Sequence, residues 1–128
     1  MTLESTSDGT VPVAGARLTD ISNAAVALHR EHFGRGPGAA KSHLSGNLLV
    51  CVLTDVFTPV EKTLIEAGRE ERVRETRAVH RAATEDVYKQ RMEAVLGRRV
   101  EAHMSSIHVD PDIAVDIFVL GGEAAEPR

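Results

Sequence analysis

Aromatic residues are nearly missing from this chain of 128 residues: there is no tryptophan, one tyrosine (Tyr88) and three phenylalanines, 3% in all. Base-stacking platforms need aromatic rings, so their scarcity argues against single-stranded nucleic-acid binding. Positive charge is not in excess either. The net charge of −4 argues against a general binder of nucleic acid or anionic membranes. Cysteine occurs once, as Cys51, so no internal disulfide can form. Its setting, Leu49-Val50-Cys51-Val52-Leu53, reads as a buried strand in which the thiol is a small hydrophobe. No apolar run approaches the ~20 residues of a membrane span. Met1–Thr10 lacks a basic start and an apolar stretch, so it does not read as a signal peptide. A cytoplasmic location without membrane insertion is the expectation.

What is present is the composition of one globular domain. Hydrophobic residues make up 42%, and a chain of this length buries roughly two-thirds of its unfolded surface. Residues 1–17 are small and polar and read as a disordered arm. Residues 18–120 read as a single domain and 121–128 as a short tail. A first helix is predicted to start at Thr19 or Asp20, which can cap free N–H groups. Ile21, Ala24, Ala25, Leu28 and His32 form its apolar face, and Gly34 ends it.

A hairpin follows, from about Ala39 to Ser45 and from Leu48 to Asp55, turning at Gly46-Asn47. The returning strand is apolar at every position from Leu48 to Leu53. Either both its faces are covered or one belongs to an interface. Thr58-Pro59-Val60-Glu61 reads as a capping box with proline at the first helical position. A short helix to Ala67 and a long one from about Arg69 to Leu96 are expected. The long helix is given a buried stripe of Val73, His80, Ala83, Val87, Ala94 and Val95, and wet-face pairs Glu70–Arg74 and Glu85–Lys89. Two alternating strands close the domain, with Val100, Ala102 and Met104 sharing a side of the first. The order helix, hairpin, helix, helix, hairpin predicts an α+β two-layer sandwich on an antiparallel four-stranded sheet.

Three groups of residues could carry chemistry. In the loop Gly34-Arg35-Gly36-Pro37-Gly38, backbone N–H groups with Arg35 and Lys41 could hold an anion. Phosphate loops more commonly precede a helix than follow one, so a tight corner is the competing reading. His103, His108, Asp110, Asp112 and Asp116 offer imidazole and carboxylate ligands for a metal. Against this, Asp110-Pro111-Asp112 is ordinary turn chemistry, and His103 and His108 fall on opposite faces of a regular strand. The long helix carries Arg74, Arg77 and Arg81 at helical spacing among interleaved acids. It reads as a solvated face, or more sharply as a surface for an acidic partner or for nucleic acid.

The order of motifs resembles a known family. His32-Phe33-Gly34-Arg35-Gly36-Pro37 ends a helix, and an apolar strand runs into Thr58-Pro59-Val60-Glu61-Lys62-Thr63-Leu64. Gly97-Arg98-Arg99-Val100 and His108-Val109-Asp110-Pro111-Asp112-Ile113-Ala114-Val115 follow. Together they resemble the MpsC family, formerly termed DUF2294 and named after the C subunit of a sodium-translocating, membrane-potential-generating system. The resemblance spans Leu18 to Leu120. It implies a small bacterial accessory protein tied to ion or inorganic-carbon transport and supplies no catalytic residues.

The expected function is therefore a non-enzymatic accessory or regulatory protein. It is expected to be a homodimer with a membrane transport system as partner, and to use no cofactor and no nucleic acid. A small-molecule sensor for a phosphate- or carboxylate-bearing ligand, bound by Gly34, Arg35, Gly36 and Lys41, is the alternative. A metalloprotein on His103, His108, Asp110 and Asp112 comes third. Within the corner, Gly34 and Gly36 are expected to serve backbone geometry and Arg35 to serve binding. The other possibility for Arg35 is a tether to a carboxylate or a helix end.

Overall fold

A computed structural model describes residues 15–123. The elements are α1 (Gly15–Phe33), β1 (Ala39–Ser45), β2 (Leu48–Thr54), α2 (Pro59–Glu66), α3 (Glu70–Leu96), β3 (Arg98–His108) and β4 (Ile113–Glu123). Most of the expected arm and part of the expected tail lie outside the described residues. Two boundaries differ from expectation. Helix α1 begins at Gly15, ahead of the Thr19 and Asp20 caps, and Arg17 donates to the Leu96 carbonyl at the end of α3 (2.7 Å). Strand β4 continues through Gly121 to Glu123, because Glu123 pairs with Arg98.

The α+β class and the element order agree with the sequence reading. Every pairing in the four-stranded sheet is antiparallel, in the order β1-β2-β4-β3. The last strand thus lies between β2 and β3 and joins the two hairpins. Helices α1 and α3 cover one face. Ile21, Ala25 and Leu28 of α1 and Val73, Met92 and Leu96 of α3 are buried against Leu49, Cys51, Leu53, Ala114, Phe118 and Leu120. Burial pushes the Cys51 thiol up to about 12, so it behaves as the small hydrophobe expected.

The capping box forms as read. Glu61 N–H donates to Thr58 Oγ1 (3.1 Å), and Thr58 N–H donates to Glu61 Oε1 (2.9 Å), with Pro59 in the first turn. Gly97 ends α3 in the left-handed region, and the Glu70–Arg74 and Glu85–Lys89 pairs are made. The side of β3 differs. Register shifts between Arg98 and Val100 and between Val100 and Ala102 put Val100 in the core, opposite Leu120. Ala102 and Met104 pair with Val119 and Ile117 on the other face. A bulge reverses which face the following residues occupy, and alternation alone cannot reveal it.

The Gly34–Gly38 corner is held by its own chemistry. Gly34 has φ +80 and donates to the Arg30 carbonyl (2.9 Å), closing α1. Gly38, not Gly36, is the close approach: a Cβ there would lie 2.8 Å from Asp55 Cβ, whereas at Gly36 the nearest atom is 3.5 Å away. The backbone role assigned to Gly36 therefore belongs to Gly38. Arg35 donates to the Asp55 carbonyl (2.9 Å), the Phe57 carbonyl (3.0 Å) and the Asp55 carboxylate (3.2 Å). Its guanidinium ties the corner to the end of β2. Urea melts should show Gly38→Ala and Arg35→Ala each destabilised by about 1 kcal/mol or more, with Gly36→Ala within about 0.5 kcal/mol of the parent. An Arg35→Ala protein of unchanged stability would show that the guanidinium is not a tether.

Candidate functional site

The long helix presents Arg74, Arg77, Ala78, Arg81, Thr84 and Tyr88 at helical spacing, continuing the line of Val73 toward Met92 and Leu96. This face is turned toward the sheet. With Ala25, His29 and Phe33 of α1 and Leu53, His103, Ser105, Ala114 and Asp116 of the sheet, it encloses a cavity of about 220 Å³. The expected stripe on α3 holds at Val73, His80 and Val95 and was misplaced at its other positions. Ala83 and Ala94 are exposed, and Val87 is 44% exposed. The real stripe is polar in its middle, so hydrophobicity alone does not trace it.

Arg77 closes one end of the cavity. Its Nε and Nη2 donate to the two Glu61 carboxylate oxygens at 2.7 Å each, and Nη2 also donates to the Val56 carbonyl (2.9 Å). The guanidinium lies 3.8 Å from the Phe33 ring centroid. Both charged side chains are nearly buried, at 9% and 12% exposure. Burial alone would raise the Glu61 carboxyl. The Arg77 hydrogen bonds and the Thr58 N–H outweigh it and hold the group below the usual carboxylate value. The forked, two-bond geometry is one that arginine offers and lysine does not.

His103 forms another wall. Its ring is stacked between Tyr88 (5.3 Å) and Phe118 (4.6 Å), and Nε2 donates to Asp116 Oδ1 (2.8 Å). A carboxylate accepts only, so the proton is on Nε2. Nδ1 is buried with no partner among the described residues. Arg81 is half-buried and lines the same cavity with no hydrogen bond or ion pair among the described residues.

The remaining sequence-selected residues are placed elsewhere. Lys41 is exposed on β1, registered against Val52 on the sheet face away from the helices, while Arg35 is bound to Asp55 and Phe57. His108 is exposed, and its Nδ1 donates to the Pro111 carbonyl (2.9 Å). Asp110 is exposed in the turn. The Asp112 carboxylate accepts from Val56 N–H (2.9 Å) and Phe57 N–H (3.4 Å). His103 is thus joined to Asp116, not to His108, Asp110 or Asp112. Among the described residues no group of three or more His, Cys, Asp or Glu is arranged to hold a metal ion. Sequence reasoning missed the Glu61–Arg77 pair and the part played by Tyr88. The signal was the spacing of Arg74, Arg77, Arg81, Thr84 and Tyr88, which follows one helical face.

An antiparallel sheet covered on one side by helices, with an arginine- and histidine-lined cavity between the layers, defines a two-layer α+β protein. Its family is shown by sequence: residues 14–122 match the family model described as MpsC, Na+-translocating membrane potential-generating system, and the chain belongs to that family. No curated protein and no solved structure matches the chain.

Two histidines beside Arg77 give the fold a pH dependence. His29 Nδ1 donates to the Arg35 carbonyl (2.6 Å), and His80 Nε2 lies 3.3 Å from His32 Nδ1. Both rings are held below the ordinary imidazole value. Burial is the main cause for each; the Arg77 charge adds to it in both, and His32 adds to it at His80. Folding therefore favours the neutral rings, while the unfolded chain takes up these protons near pH ~6.5. This share of stability is complete above that pH and is lost as pH falls below it. The melting temperature should fall between about pH 7 and about pH 5.5, and fall less in His80→Gln. A melting temperature that holds or rises across that interval would contradict the assignment.

Proposed function

We propose that this chain is a non-enzymatic accessory and regulatory subunit of a membrane-potential-generating transport system, acting in the cytoplasm as a homodimer. Family membership supports the link to such a system. Among the described residues no helix is long and apolar enough to cross a membrane, so engagement with the system goes through a protein partner.

The observation that carries the assembly is the sheet face opposite the helices. Three rows cross all four strands there: Ser45–Leu48–Val119–Ala102, His43–Val50–Ile117–Met104 and Lys41–Val52–Val115–Ser106. The two central strands contribute only Leu and β-branched apolar residues to these rows. Leu48 is 42% and Met104 49% exposed, and Val50, Val52, Val115, Ile117 and Val119 are partly exposed. A contiguous apolar face with a polar border is the form of an interface, not of a wetted surface. The β1 border carries Lys41 and His43. The β3 border carries Glu101, whose side chain lies over Gly121.

A small-molecule sensor is the second reading. The cavity under α3 favours it more than the Gly34–Gly38 corner does, because Arg35 is engaged and Lys41 faces the other side of the sheet. For the dimer, light scattering at micromolar concentration should give twice the chain mass, and Ile117→Glu should give a monomer with unchanged far-ultraviolet circular dichroism. A wild-type monomer throughout that range, or a dimer that survives Ile117→Glu, would refute it.

A further inference from the structure

Most charged side chains around the α3 cavity are engaged with one another, and the exception is informative. Arg77 is paired with Glu61 and Arg74 with Glu70 and Glu71, while Asp116 accepts a hydrogen bond from His103. Arg81 alone has no counter-charge among the described residues, although it is half-buried. A partly desolvated guanidinium is costly to leave unpaired, and its planar fork matches a carboxylate in two bonds. Three further residues lining the same cavity carry unmet polar groups: His29, whose Nε2 is buried without a partner among the described residues, and two more. One is the buried Nδ1 of His103, whose ring is fixed by stacking and by Asp116. The other is Tyr88, which makes ring contacts but no hydrogen bond among the described residues.

The rest of the lining limits what can enter. Ala25, Leu53 and Ala114 give an apolar floor. Ligand pockets for drug-sized molecules run from about 300 Å³ upward, and this cavity, at about 220 Å³, is smaller. An inorganic anion would leave the apolar floor unused, and a nucleotide would not fit.

We infer that the cavity between α3 and the sheet binds a small organic monocarboxylate. Its carboxylate sits on Arg81, its carbon body on the Ala25–Leu53–Ala114 floor, and a second polar group meets the Tyr88 hydroxyl. The site goes beyond the assembly reading and is independent of it, because light scattering scores the dimer and calorimetry scores the site.

The test is titration calorimetry of the full chain with lactate, pyruvate and benzoate, beside inorganic phosphate and chloride at matched ionic strength. At least one carboxylate should bind saturably at one site per chain. Arg81→Gln should weaken it by about tenfold or more, as expected for loss of a forked charge-assisted contact. Because Arg81 makes no hydrogen bond or ion pair among the described residues, that variant should melt as the parent does. A Tyr88→Phe protein gives a second reading of the same site, with weaker binding of the hydroxy- or keto-acid and unchanged binding of benzoate. No carboxylate binding, binding unaltered by Arg81→Gln, or phosphate binding as tightly as the best carboxylate would overturn the inference.

Discussion

The buried ion pair between Glu61 and Arg77 joins more of this molecule than any other single contact. Glu61 belongs to the first turn of α2, where its carboxylate also completes the capping box on Thr58. Arg77 belongs to the middle of α3, lies over Phe33 at the end of α1, and holds the Val56 carbonyl in the connection after β2. Three helices and the β2–α2 connection therefore meet at one guanidinium. A buried pair of this kind adds little net stability compared with an apolar replacement, but losing one partner leaves a charge stranded in the interior. The pair acts as a register for α3 against its neighbours, and the position of α3 sets the shape of the cavity below it.

The same corner gathers further polar anchors. Asp112, from the turn before β4, accepts from Val56 and Phe57, and Arg35 donates to the Phe57 and Asp55 carbonyls. A segment with buried Val56 and Phe57 side chains cannot leave its backbone groups unpaired, and these side chains serve them. Residues that read as a candidate anion loop and a candidate metal turn converge here to hold a connection. Between the two faces of the sheet there is a division of labour. One face is closed by helices and lines a small polar-walled cavity, and the other is apolar at its centre and partly exposed.

Most of the fold was legible because local chemistry and hydrophobic period agree in it. Thr58-Pro59-Val60-Glu61, Gly34, Gly97 and the unbroken apolar run of β2 each announce their element, and each element forms there. Legibility failed where side chains do something other than bury apolar surface. The α3 stripe was misread because Arg77, Arg81, Thr84 and Tyr88 occupy its middle, and the bulges around Val100 moved Ala102 and Met104 to the outer face. The cavity was half legible: His103 and Asp116 stood out as an imidazole and a carboxylate, and Arg74, Arg77 and Arg81 as a spaced basic row. That these two groups face each other follows from the strand order β1-β2-β4-β3, which no local signal carries.

The central claim is that Glu61 and Arg77 act as one unit that fixes α3 in place. A double-mutant cycle with Glu61→Gln, Arg77→Met and the pair, followed by urea unfolding, measures this directly. Each single variant should lose about 3 kcal/mol. The double variant should lose much less than the sum, with a coupling of about 1.5 kcal/mol or more. Additive losses, with a coupling within about 0.5 kcal/mol of zero, would contradict the claim.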